Sequence, residues 1–416
     1  MKTPAILISL IVLLAAACGG GGGSGSTDSA TSTSGSGTGS GSGSGGTSGG
    51  GTGGGTGGGT GGGTAVTLEK KAAALAAKLG KSSRFLVGLG TTSVADIQKQ
   101  SIRIDIYDQY LNGVGAGSWP TWNSPSGAYV QVVAKNADTL GAVPMFTLYQ
   151  MASNGDGNLS GLTNKTFMTG YWNNVRLLFQ QIATYGKPVL VNFEPDFWGY
   201  TQRLSVNADP STVKALVSFD QDCTNQPDNV TGIAQCLIQI ARKYAPNNAY
   251  VGFPPALFGD LYSTALGYMQ KLGADKADFI VMQTLDRDSG CFEVSPQPSY
   301  CQRAGTGWYW DATNKTSPNF TEHFALTKSY NTGLQLPVIW WQTPLGVPSS
   351  TPGGVAGRYR DNRASYFLTH TAEMVAAGGL GVVFSTGEVN QTSINTDGGQ
   401  FKTLSTSYLA NPTALP

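Results

Sequence analysis

The stretch Val189-Leu190-Val191-Asn192-Phe193-Glu194-Pro195-Asp196-Phe197-Trp198-Gly199-Tyr200 opens on a short apolar run of strand formers, after Gly186 and Pro188, and continues into two carboxylates separated by a proline. It reads as a buried strand that delivers acids to a loop. Side chains alternate along a strand, so Asn192, Glu194 and nominally Asp196 are expected on one face, Val191 and Phe193 on the other. Pro195 has no N–H for a ladder, so the strand is expected to stop there. The structural alternative for Glu194 and Asp196 is a cap on the next helix or an ion pair with Arg203.

Outward from this strand the same alternation repeats. Upstream lie a helical pattern at Val66–Leu79, strands at Phe85–Gly90 and Ile102–Tyr107, a helix at Ala128–Leu140, a strand at Val143–Tyr149 and a helix at Phe167–Tyr185. Downstream, helices at Ile233–Tyr244, Leu261–Leu272, Phe320–Tyr330 and Asn362–Ala377 precede strands at Tyr250–Phe253, Phe279–Gln283, Pro337–Trp341 and Leu380–Ser385. Strands alternating with helices predict a parallel sheet, and this number of units fits a (β/α)8 barrel of the TIM type. An open doubly wound sheet is the runner-up; its glycine fingerprint candidate, Gly88-Leu89-Gly90, lacks the third glycine.

The domain is expected to span residues 65–416. Residues 1–17 read as an export signal: Lys2 gives the positive end, Ile6 to Leu14 is too short to span a bilayer, and Ala15 to Ala17 are small. The segment resembles a bacterial lipoprotein signal, which implies lipidation of Cys18. Gly19 after the cysteine implies sorting to the outer membrane, with simple secretion as the alternative. Residues 18–64 are almost wholly Gly, Ser and Thr; such a chain buries no core and behaves as a coil spanning about 35 to 40 Å, a tether.

Lys and Arg number 26 against 25 Asp and Glu, a net charge of +1, and no basic run stands out, which argues against nucleic acid as partner. Cys223 with Cys236, and Cys291 with Cys301, are expected to form local disulfides in an exported chain. No metal or other cofactor is expected, since neither cysteine pair is a Cys-x-x-Cys and the chain has only 2 His, His323 and His370. The expected chain is a monomer that touches a membrane only through its lipid.

Barrel sites lie at the C-terminal strand ends. The second strand there offers Asp105, Tyr107 and Asp108; the fourth Asn192, Glu194, Asp196, Trp198 and Tyr200. The sixth offers Gln283, Asp286 and Asp288, the seventh Trp340, Trp341 and Gln342, and the eighth Glu388 and Gln391. Carboxylates with indoles, and no reactive Cys or Ser elbow, describe a site for sugar: one carboxyl protonates the leaving oxygen, a second attacks or activates water, and flat rings hold pyranoses. Glu194 and Asp196 are the candidates for general acid, and Asp286, Asp105 and Glu388 compete for the second role. Tyr107, Asn192, Trp198, Tyr200, Gln283, Trp340, Trp341 and Gln342 are the candidate substrate contacts. Each has a plainer reading: Asp105 paired with Arg103, Trp340 and Trp341 in the core, Asp286 to Asp288 a solvated turn.

A Glu at the end of the fourth strand resembles the large (β/α)8 glycoside-hydrolase clan, which implies an acid/base at Glu194 and a Glu nucleophile ending the seventh strand. Here Phe193 separates Asn192 from Glu194, and Gln342 stands at the seventh strand's end. Glu194-Pro195-Asp196, with Ala152-Ser153-Asn154-Gly155-Asp156 upstream, is similar to the local motif of the inverting family-six cellulases, which implies Asp196 as the acid. The tail from Tyr359-Arg360-Asp361-Asn362-Arg363 through Gly381 to Asp397-Gly398-Gly399 resembles uncharacterised exported bacterial hydrolase-like proteins. The resulting expectation is a glycosidase on a poly- or oligosaccharide; the alternative is a catalytically silent glycan-binding barrel, for which Gln342 speaks.

Overall fold

The computed structural model describes residues 66–255, 262–284, 310–348, 359–361, 363–386 and 392–416. The leader, Cys18, the Gly-rich segment, Asp286, Asp288, Cys291, Cys301, Glu388 and Gln391 lie outside the described residues.

The strands are β1 (Leu86–Gly90), β2 (Ile106–Asn112), β3 (Val143–Tyr149), β4 (Val189–Phe193), β5 (Ala249–Phe253), β6 (Phe279–Gln283), β7 (Val338–Pro344) and β8 (Gly379–Ser385). They close into a parallel barrel in the order β1-β8-β7-β6-β5-β4-β3-β2. The helices are α1 (Lys71–Lys78), α2 (Val94–Lys99), α3 (Ala128–Leu140), α4 (Lys165–Tyr185), α5 (Phe197–Leu204), α6 (Val230–Tyr244), α7 (Tyr262–Leu272), α8 (Phe320–Leu334), α9 (Arg363–Thr369), α10 (Thr371–Ala376) and α11 (Gln400–Ala410). The architecture is a (β/α)8 barrel of the TIM type.

Local chemistry sets the helix limits. Asn164, Asn229 and Asn319 each accept a backbone N–H from the first turn of α4, α6 and α8, and Gly186 ends α4 in the left-handed conformation. The outer wall of the barrel is aromatic where the helices lie on it: Phe193 meets Phe179 of α4 and Phe253 of β5, and Phe384 meets Phe401 of α11. Cys223 and Cys236 are bonded, joining the loop before α6 to that helix.

Several elements differ from the sequence reading, among them two short helices it did not give, α2 and α5, and a β7 that runs to Pro344 rather than Trp341. The second strand runs Ile106–Asn112, not Ile102–Tyr107. Ile102 and Ile104 are buried, so their alternation is real, but ladder pairing with β3 starts at Ile106 and continues through polar residues that face the barrel interior. The helix expected at Asn362–Ala377 is broken at His370 into α9 and α10. The last strand, expected to lack a helix, is followed by α11.

Candidate active site at the C-terminal mouth of the barrel

β2 and β7 are not neighbours, so a bond between them must cross the barrel interior. The Trp341 indole Nε1 on β7 donates to Asp108 Oδ2 on β2 at 3.0 Å, and Thr147 Oγ1 on β3 donates to Asp108 Oδ1 at 2.9 Å. Asp108 is thus the floor of the mouth. A Cβ at Gly90 would lie 3.0 Å from its Oδ2, so the bare glycine leaves room for the carboxyl. Burial pushes the Asp108 pKa up to about 7, against the two hydrogen bonds that favour the ion. Asn192 stands beside it in the wall, its Nδ2 3.4 Å from Thr147 Oγ1.

Toward the strand ends, the Tyr110 ring lies 5.9 Å from Trp341 and 6.1 Å from Tyr149. The Gln342 amide donates to the Tyr110 hydroxyl, and Gln283 Nε2 donates to Gln342 Oε1 at 3.3 Å. At the end of β3 the Tyr149 hydroxyl donates to Asp156 Oδ1 at 2.5 Å and lies 3.4 Å from Asp196 Oδ2. One phenol therefore lies between two carboxyl groups, its single proton given to Asp156. Burial, then the charge of Asp196 and the bond to Asp156, hold its pKa far above the ordinary phenol value, so Tyr149 stays a donor. Gly157, at φ +73°, lets the turn bearing Asp156 lie on Tyr200: a Cβ there would come within 2.9 Å of that ring.

Glu194 does not follow the strand's alternation. It and Asp196 adopt left-handed backbone conformations, with φ of 51° and 66°. The Glu194 carboxyl, fully buried, turns to the segment that follows β3, where Oε2 accepts the N–H groups of Gln150 at 2.9 Å and Met151 at 3.0 Å. The Tyr171 hydroxyl of α4 faces the same carboxyl short of hydrogen-bond geometry. Burial raises the Glu194 pKa to about 8, the backbone N–H bonds opposing it. Gln342 is left-handed as well, at φ 51°, where β7 carries an extra residue relative to β8. Strained non-glycine backbone of this kind, costing about 1 to 3 kcal/mol per residue, gathers at functional sites; here it falls on both sides of the mouth.

The structure thus brings Asn192, Asp196, Gln283, Trp341 and Gln342 to the mouth or its floor, with Tyr200 at its edge. Other candidates go elsewhere. Asp105 precedes β2 at the N-terminal end of the barrel, where Arg84, not Arg103, grips both its oxygens at 2.6 and 2.7 Å. Tyr107 alternates outward and donates to the Thr92 carbonyl at 3.0 Å. Trp198 folds back with α5, donating to the Phe193 carbonyl at 2.8 Å and packing on Phe253, so it is core. Trp340 points outward, its indole donating to His323 Nε2 at 2.8 Å; that buried histidine has its pKa lowered to about 3, by burial first and by the Arg363 charge. Trp341 is itself only 1% exposed, a floor rather than an open platform.

Reading the strand ends passed over the third, whose last residue is Tyr149, and so missed Tyr149 as the link between Asp156 and Asp196. Tyr110 was missed because β2 was placed too early. Among the described residues no group of three or more His, Cys, Asp or Glu could hold a metal ion.

No family model and no curated protein matches the chain. Among solved structures, a modular endo-β-1,4-mannanase from Cellulomonas fimi is 11% identical, with a TM-score of 0.44 over 81% of this chain and 74% of its own. A GH5 family lichenase from Caldicellulosiruptor sp. F32 is 13% identical, with a TM-score of 0.43 over 76% and 84%. A D-allulose 3-epimerase from Methylomonas sp. is 11% identical, with a TM-score of 0.41 over 79% and 98%. Mannanase, lichenase and epimerase stand side by side, and the likeness concerns the arrangement of strands and helices alone.

Proposed function

We propose that the domain is a glycoside hydrolase acting on a poly- or oligosaccharide at the C-terminal mouth. The observation that carries this reading is the pair Asp156 and Asp196, joined through the Tyr149 hydroxyl and flanked by Tyr110, Tyr200 and the Trp341 floor. Hydrolysis of a glycosidic bond needs one carboxyl to protonate the leaving oxygen and another to take up charge or activate water. Asp196, on the turn after β4, is the candidate acid. Asp156, which accepts the phenolic proton, is the candidate base or nucleophile. Asp108 supports the floor beneath them, and Gln283 and Gln342 offer amides to sugar hydroxyls. In this reading Glu194 acts from behind the wall, holding the backbone next to Tyr149.

The test is reducing-end release from a panel of neutral β- and α-glucans, mannans and xylans, repeated with Asp196→Asn and Asp156→Asn. Turnover that both variants lose, with glycan affinity kept, supports the reading; turnover that both keep rejects it. A second reading, a glycan-binding barrel without catalysis, is favoured by Gln342, an amide at the seventh strand's end whose side chain is already engaged by Tyr110 and Gln283. Under that reading no panel member is cleaved and the same substitutions change affinity. Export, lipidation of Cys18 and anchoring of a monomer belong to the proposal as well; fatty-acid labelling that survives Cys18→Ser would overturn them.

A further inference from the structure

The loop after β2 opens on the same end of the barrel as the mouth. From Gln109 to Ala134, between Asp108 and Lys135, it and the start of α3 contain no charged residue. Within it Thr121 to Ser126 are all exposed, and Trp122 among them is 37% exposed. Its indole is not loose. Nε1 donates to the Gly117 carbonyl at 2.9 Å, and the Tyr129 ring meets it edge to face, 5.0 Å away at 82°. The polar atom of the ring is satisfied within the loop and the ring is braced by Tyr129, while more than a third of the residue stays open to solvent.

The loop is also tied to the mouth. Trp119, fully buried, donates from Nε1 to Gln150 Oε1 at 3.3 Å, next to Tyr149 in sequence. The Val114 N–H donates to Ser153 Oγ at 2.9 Å, on the turn that leads to Asp156. Trp122 is therefore carried on a loop that is tied, through Val114 and Trp119, to the segment leading from Tyr149 to Asp156.

We infer that this loop is a second sugar contact, with Trp122 as its platform, and that the ligand of the site is an uncharged glycan long enough to reach from the mouth across it. A flat ring among exposed Thr, Asn and Ser, in a segment of sequence that carries no charge, matches the alternation of apolar C–H faces and hydroxyl edges on a neutral pyranose. The segment itself has no cation to offer a phosphate or other polyanion. The inference rests on the reading of the mouth as a carbohydrate site and adds the length and charge of what it takes.

The test measures affinity of the full chain for neutral glycans of rising length, by calorimetry with short oligosaccharides and by gel retardation with galactomannan and hydroxyethyl cellulose. The native protein should gain affinity with length. Trp122→Ala should forfeit about tenfold on the polymers, the loss of one stacking face, while di- and trisaccharide affinity stays unchanged and the melting temperature falls only by what the lost Gly117 and Tyr129 contacts account for. Trp122→Leu, which keeps apolar bulk against Tyr129 and guards against misfolding, should lose as much; Trp122→Tyr should retain part. Polymer binding by Trp122→Leu equal to the native protein overturns the inference and leaves the mouth reading standing. A native protein that binds no glycan of any length overturns both.

Discussion

The two ends of the barrel treat buried carboxylates in opposite ways. At the N-terminal end, Asp105 before β2 takes the Arg84 fork and the Val87 N–H, and Asp278 before β6 takes Arg242 and the Val251 N–H, each at 3.0 Å or less. The two ends of β2 and β6 are thus pinned by one repeated device: an acid, a guanidinium and the backbone of the preceding strand. At the C-terminal end Asp108 meets only an indole and a hydroxyl, and Glu194 meets backbone N–H groups, with burial lifting their pKa values to about 7 and about 8. An acid gripped by a guanidinium pins one strand to the next. Burial without a cation instead raises the pKa of Asp108 and Glu194, favouring the neutral carboxyl around the mouth.

The largest effect that bears on this contrast is in the pH dependence of stability. Glu194 has its pKa raised from 4.5 to about 8, so between those values the folded state holds a proton that the unfolded state has released. Stability must then fall as pH rises through that window, and Asp108 adds a similar fall from 3.8 to about 7. Glu194→Gln keeps an acceptor for the Gln150 and Met151 N–H groups and removes the titration. Chemical denaturation at pH 5 and pH 8 should show a loss of several kcal/mol in the native protein and a smaller one in the variant, which keeps the share due to Asp108. Equal slopes would erase the difference between the ends.

Asp105→Ala should be next in size, leaving the part-buried Arg84 without the carboxylate that grips it, at a cost of about 3 kcal/mol. A fall of less than about 1 kcal/mol would assign the pair to the class of exposed ion pairs. Asp196→Asn should behave in the reverse manner. Its melting temperature should hardly move, while turnover on a cleaved glycan should fall about a hundredfold.

What the sequence could and could not disclose follows the same division. β3, β4 and β6 were legible to the residue because their runs are mainly apolar and bounded by Gly, Pro or a polar turn. β2 was not, because its upper half carries Asp108 and Tyr110 on the interior face, and a strand that lines a site loses the apolar signature that marks strands. The tryptophans show the other limit. Trp340 and Trp341 are adjacent and chemically identical, yet one points out to His323 and the other in to Asp108, a matter of phase along β7. Glu194 and Asp196 were legible as a pair of acids, but the left-handed turn that sends one behind the wall and leaves the other at Tyr149 depends on contacts from β3 and α4, distant in sequence.

The smallest effect tests the floor itself. Trp341→Phe keeps a ring against Tyr110 but removes the N–H that reaches Asp108 Oδ2, one of the contacts that join β7 to β2 across the barrel. Loss of one buried hydrogen bond should cost about 1 kcal/mol. The sign of a second change is fixed: the indole bond favours the ionised carboxyl, so without it the Asp108 pKa should rise further above the ordinary carboxylate range. Carbon-13 titration of the Asp108 carboxyl, set beside the native protein, reads this directly. A midpoint for Asp108 that falls or stays fixed would mean that the floor is held by Thr147 alone, and that the crossing bond to β7 contributes shape without electrostatics.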